Sequence, residues 1–127
     1  MPIHIQSAIT FLKTRDLDAT SSFYCGVLGL ELVLDQGACR IYRARSGAYL
    51  GFCQTDGATG NPEVILTLVV PDVEAACTAL EQAGAVIEIR PRYNPRYQIE
   101  QFFTRDPNGY LIEVQRFTDP RWKEDAP

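Results

Sequence analysis

Histidine is nearly missing from this sequence, basic residues are in the minority, and no apolar run is long. The single histidine, His4, precedes the first predicted strand, so a Cys–His or Ser–His relay has almost nothing to draw on, and no G-x-S-x-G or strand-linked G-x-G-x-x-G occurs. Lys and Arg number 12 against 16 Asp and Glu, for a formal charge of −4 and a pI near 4.9. That balance argues against a nucleic-acid partner, because phosphate binding needs a basic surface, and it suits a cationic or neutral ligand. The longest apolar stretches, such as VILTLVV at 64–70, are far too short to span a bilayer. The opening MPIHIQSA carries neither a charged leader nor a hydrophobic signal stretch, so no membrane partner is expected and the expected location is the cytoplasm. The four cysteines, Cys25, Cys39, Cys53 and Cys77, form no C-x-x-C pair. Reduced, partly buried thiols are expected, with Cys53 the one to watch.

What is present is an ordinary globular composition, 46% hydrophobic and 22% charged over 127 residues, enough for one domain with a proper core. The chain repeats its own plan. AITFLKTRDLDATSSFYCGVLGLELVL and VILTLVVPDVEAACTALEQAGAVIEI both run strand, Asp, helix, Gly, strand. Asp16 and Asp72 can cap the coming helices. Leu17, Phe23, Tyr24 and Leu28 in the first helix, and Val73, Ala76, Cys77 and Leu80 in the second, form apolar stripes that read as core. Strand-like segments then follow in threes: LELVLDQ, CRIYRA and AYLGFCQ, and later AVIEIR, IEQFFTR and YLIEVQRF,. The expected organisation is a single domain of two βαβββ modules, about 5–54 and 64–118, joined by a polar linker at 55–63 and followed by a tail at 119–127. Trp122 could make that tail a packed latch or leave it a loose end.

A duplicated module of this size, with SSFYCGVLGLELV after the first cap and FFTRDPNGYLIEVQRF near the end, resembles the vicinal oxygen chelate superfamily of glyoxalase I, extradiol dioxygenases, fosfomycin-modifying enzymes and bleomycin-resistance proteins. The resemblance covers about residues 5–118. It implies an α+β fold in which two tandem modules form a curved eight-stranded cleft. It also implies a divalent metal held by His, Gln or Glu from the first and last strand of each module. Matched residue by residue, those positions are Ile9 and Gly51 in module one and Ile65 and Glu113 in module two. Isoleucine and glycine offer a metal no side-chain electron pair. No metal and no cofactor is therefore expected.

Glu113 then stands alone in an apolar strand, where an unpaired carboxylate costs several kcal/mol. If the module-two hairpin closes around Pro107 and Asn108, Glu113 lies opposite Phe102. If the module-one hairpin closes around Arg45 and Ser46, Arg40 lies opposite Gly51 and Tyr42 opposite Tyr49. Glycine leaves room for Arg40 to swing into the cleft and meet Glu113 or an anionic ligand group. A one-residue change in either turn reverses that face. The segment RPRYNPRYQIEQ, 90–101, reads as an extended loop bordering the cleft mouth.

The reading that follows is a metal-independent binder of a small organic molecule, similar to the bleomycin-resistance proteins, with Phe11, Arg40, Tyr42, Tyr49, Thr67, Phe102 and Glu113 lining the site. The resemblance further implies a homodimer. The alternative from another class is an enzyme, a lyase, isomerase or dioxygenase on a small oxygenated metabolite, with Glu113 as base or metal ligand.

Overall fold

A computed structural model describes residues 2–126. The chain divides into two compact units, Met1–Thr59 and Gly60–Pro127, and the boundary falls inside the polar stretch 55–63. In the first unit, strand β1 (Ala8–Thr14) leads to Asp16, whose carboxylate accepts a hydrogen bond from Ala19 N at 2.9 Å and caps helix α1 (Leu17–Ser21). The helix widens into a π-helical stretch, Ser22–Val27, and the chain reverses at Gly29 with φ 79°, a left-handed conformation that glycine adopts without penalty. Strands β2 (Glu31–Asp35), β3 (Cys39–Arg45) and β4 (Ala48–Gln54) complete a sheet of order β1-β4-β3-β2, with β1 parallel to β4. The second unit repeats the plan. Strand β5 (Ile65–Val69), helix α2 (Val73–Gln82) capped by Asp72 at 3.0 Å, and strands β6 (Ile87–Asn94), β7 (Ile99–Arg105) and β8 (Leu111–Phe117) form a sheet of order β5-β8-β7-β6. The architecture is α+β, two tandem βαβββ modules.

In each unit the helix covers one face of its own sheet. Tyr24 packs its ring 4.8 Å from Phe52, and Leu12, Leu17, Phe23 and Tyr42 are buried with them. In the second unit Val73, Cys77 and Leu80 of α2, and Phe102, Ile112 and Val114 of the sheet, are buried. Side chains of this size contribute about 1.5–3 kcal/mol each when fully removed from water. Strand alternation puts the next residues on the opposite face, and there Ile9, Phe11, Ile65 and Val69 stay exposed. No helix among the described residues is long and apolar enough to cross a membrane.

Both hairpins close one residue later than the sequence suggests. Asp106 N donates to Tyr110 O at 3.1 Å, and the Asp106 carboxylate accepts from Asn108 N and Tyr110 N at 2.9 and 2.8 Å. Three residues, Pro107–Asn108–Gly109, make the turn, the third in the left-handed region at φ 91°, a common three-residue hairpin geometry. Glu113 accordingly pairs with Phe103 rather than Phe102. In module one a bulge between Arg43 and Arg45 has the same effect. Gly51 pairs with Ile41, and Tyr49 with Arg43.

The same shift places Cys39 directly opposite Cys53, and the two are joined in a disulfide, correcting the expectation of four reduced thiols. Cys25 and Cys77 are free. The segment expected as a loop at 90–101 is mostly strand as well, since β6 runs through Asn94 and β7 starts at Ile99. Pro91 is tolerated there because β6 is the edge of its sheet and its register shifts between Ile89 and Arg92,. In the tail, Trp122 stacks on Phe117 with ring centres 4.2 Å apart.

Candidate functional site

The open face of the second sheet answers the question posed by Glu113. Thr67 on β5 is its direct neighbour in the parallel β5–β8 ladder, and the Thr67 hydroxyl donates to Glu113 Oε1 at 2.9 Å. On the other side Gln101 of β7 donates from Nε2 to Glu113 Oε2 at 2.6 Å. Asn94 of β6 donates in turn to Gln101 Oε1 at 2.9 Å. The row of hydrogen bonds thus crosses all four strands of the sheet. With its amide turned so that nitrogen faces the acid, Gln115 adds donations of 3.1 and 3.2 Å to the two carboxylate oxygens, the orientation that satisfies both groups.

Gln101 and Gln115 are buried, while Glu113 is half-buried and Thr67 exposed. Apolar neighbours on the same face are Ile65, Val69, Phe103 and Leu111, by strand alternation and register,. Charge-assisted hydrogen bonds of this kind are worth about 1.5–3 kcal/mol each, so a fan of neutral donors offsets the cost of placing the acid in an apolar strand.

On the open face of the first sheet, Phe11 and Gly51 are register partners. The Phe11 ring lies over the glycine so closely that a Cβ at residue 51 would fall 2.4 Å from two ring carbons. Tyr49 lies on the same face, half-buried, with the Arg43 guanidinium 5.7 Å from its ring centre.

Three of the expected site residues face the helices instead. Tyr42 is inaccessible and its hydroxyl lies 2.6 Å from that of Ser21. Phe102 is equally buried. Arg40 donates to Leu17 O at 3.1 Å, to Ser21 Oγ at 2.8 Å and to Asp18 Oδ1 at 3.0 Å, and its Nε lies 3.4 Å from Asp35. The hydrogen bond to Asp18, with the charge of Asp35 beside it, pushes the Arg40 pKa above its already high ordinary value. Its guanidinium is thus committed within module one, and the partners of Glu113 are uncharged. The shifted hairpin register is the physical cause of all three departures, because one residue of slip exchanges the two faces of a strand. Phe11, Tyr49, Thr67 and Glu113 lie on the open faces where alternation put them.

The chelate positions do not fit a metal. Ile9, Ile65 and Gly51 supply no donor, the Phe11 ring fills the space beside Gly51, and among the described residues no three His, Cys, Asp or Glu side chains gather closely enough to hold an ion.

Gln101 and Asn94 are the residues that sequence reasoning missed, because their strands were displaced by the slipped register and the apparent loop. A separate recess of about 400 Å³ is lined by Val73, Glu74, Pro91, Arg92, Tyr93 and Glu100. Glu100 is already paired with Arg116 at 2.7 Å. The Glu113 row is the candidate with the more complete set of hydrogen bonds.

These features define a protein of two tandem βαβββ units, the second of which carries on the open face of its sheet one carboxylate fixed by neutral donors. The pattern of the Glyoxalase/Bleomycin resistance protein/Dioxygenase superfamily matches residues 4–114, and the chain belongs to that family. It is 28% identical over 120 residues to a probable lactoylglutathione lyase of Vibrio cholerae, covering 83% of this chain and 86% of that protein. The fold matches a glyoxalase/bleomycin resistance protein/dioxygenase from Nocardioides, with TM-score 0.78, 15% identity, and coverage of 100% of this chain and 92% of that one. It also matches a glyoxalase-related enzyme from Fulvimarina pelagi, with TM-score 0.77, 21% identity and coverage of 95% and 93%.

Proposed function

We propose that this protein binds a small organic molecule without a metal, on the open face of the second sheet, with Glu113 as the polar anchor. The observation that carries the reading is the hydrogen-bond row Asn94–Gln101–Glu113–Thr67, which fixes the acid while Ile65, Phe103 and Leu111 supply an apolar surround. A few placed polar groups in an apolar setting is the usual composition of a small-molecule site. Phe11 and Tyr49 offer a second, aromatic surface on the open face of the first sheet.

The likeness to a probable lactoylglutathione lyase supports a second reading, an enzyme with Glu113 as general base. A carboxylate has about four lone-pair directions, and here most of them already receive donors, which favours an anchor over a proton acceptor. We also propose that a second copy of the chain covers the apolar side chains left exposed on edge strands β1 and β5,.

One set of measurements tests the functional reading. Thermal melting of the untagged protein is followed against a panel of small aromatic and polar organic compounds and, separately, against nickel, zinc, manganese and ferrous ions, since a ligand of the native state raises the melting point. The binder predicts compound shifts that weaken in Glu113→Gln and no stoichiometric metal. Tight metal at one equivalent, lost in Glu113→Gln, would refute it.

A further inference from the structure

We propose that Cys39 and Cys53 form a redox-active site, a dithiol–disulfide couple that opens and closes by exchange with an external dithiol while the protein stays folded. The pair lies on the open face of the first sheet, on directly opposed positions of β3 and β4. Both residues are partly exposed rather than buried, as exchange with an external thiolate requires. Cys77, by contrast, is buried on the inner face of α2 and burial pushes its thiol pKa up, which keeps it out of such chemistry.

Two further features separate this bridge from a structural staple. The β3–β4 ladder already holds the two strands in register from Cys39–Cys53 to Arg45–Ala48, and β1 pairs along the other side of β4. Opening the bond therefore removes no element of the sheet. Lys13 is the register partner of Cys53 across β1 and β4, on the same face, and its ammonium, if brought beside the sulfur on opening, would favour the thiolate form. Cys53 is the better leaving group for that reason.

A thiolate of the dithiol attacks Cys39 Sγ, the Cys39–Cys53 bond breaks, and its electron pair leaves on Cys53 Sγ. The second thiol of the reductant then displaces Cys39 Sγ and closes the reductant's own disulfide. The bridge gains two electrons, the dithiol loses two, and the two protons from its thiols pass to the cysteines.

The test equilibrates the folded protein in dithiothreitol buffers of graded oxidised-to-reduced ratio, followed by quenching, maleimide labelling and mass spectrometry. The expected result is joint labelling of Cys39 and Cys53 in one two-electron transition, with Cys77 unlabelled and cooperative melting retained. Lys13→Met should open several-fold more slowly than the parent, and Lys13→Arg should restore the rate, a response a purely structural lysine would not give. Opening only in denaturant, or free thiols at both positions under oxidised dithiothreitol, would overturn the proposal. Equal rates in the parent and Lys13→Met would overturn the assignment of Cys53 as leaving group.

Discussion

Replacing Gly51 by alanine puts the contact beneath Phe11 to a quantitative test. The added Cβ would lie 2.4 Å from Phe11 Cδ1 and Cε1 and 3.2 Å from Cγ, closer than atoms approach without something moving. The ring is the mobile partner, being 51% exposed, so it must leave the sheet. A phenylalanine buries about 200 Å² when fully enclosed, and the half that is enclosed here, at about 25 cal/mol per Å², is worth about 2 kcal/mol as an upper bound. Alanine in a strand interior recovers about 0.5–1 kcal/mol over glycine. The net expectation is a loss of about 1–2 kcal/mol, within the usual range for overpacking. Urea denaturation of the parent, Gly51→Ala, Phe11→Ala and the double variant measures it as a double-mutant cycle. With the ring removed, Gly51→Ala should become neutral or slightly stabilising. An equal loss in both backgrounds would show that the glycine is needed for some reason other than Phe11.

Other perturbations test other parts of the account. Gln101→Leu removes a donor to Glu113 and a partner of Asn94, and should lower stability by about 1–3 kcal/mol, the usual cost of leaving a buried polar group unpaired, while Thr67→Val, at an exposed donor, should cost less; chemical denaturation ranks the two. Tyr42→Phe deletes the contact with Ser21 and should cost about 1 kcal/mol without changing ligand-induced melting shifts. Reducing the Cys39–Cys53 bridge, which spans 14 positions, should lower stability by up to about 3 kcal/mol on the chain-entropy account, read from urea curves with and without dithiothreitol. The hydrogen bond from Arg121 holds the Asp119 carboxyl down to about 2. Because the folded value lies below the unfolded one, this contact stabilises the tail above the ordinary carboxylate range and is lost as pH falls through about 2. Trp122 emission should report that loss, and a change complete by pH 4 would contradict it.

Much of the fold was legible because its signals are local. Asp16 and Asp72 cap the two helices as their positions imply, and Val73, Cys77 and Leu80 are buried as helical spacing requires. Within a strand, alternation alone puts Phe11 on one face with Ile9 and Lys13, Thr67 with Ile65 and Val69, and Glu113 with Leu111 and Gln115. The site was legible only that far. Which residue faces which across a hairpin depends on turn length, and DPNG is equally readable as a two-residue or a three-residue connection. The left-handed Gly109 and the bulge near Arg43 each add one residue, and that parity sent Arg40, Tyr42 and Phe102 to the helices while bringing Cys39 to Cys53. The prolines of 90–101 misled for a related reason. Proline suggests a loop when the strand's place in the sheet is unknown, whereas on an outer strand it costs no ladder hydrogen bond.

That outer strand also bears on how the protein behaves when concentrated. At one border of the second sheet, β6 presents Pro91, which has no N–H to offer, among Glu88, Arg90 and Arg92, and its pairing is broken twice. A border like this cannot template the addition of another chain, and charges along it repel stacking. The opposite border, β5, carries no proline and keeps an unbroken run of backbone donors and acceptors. Of the two borders, only β5 therefore keeps the backbone regularity that strand addition needs,.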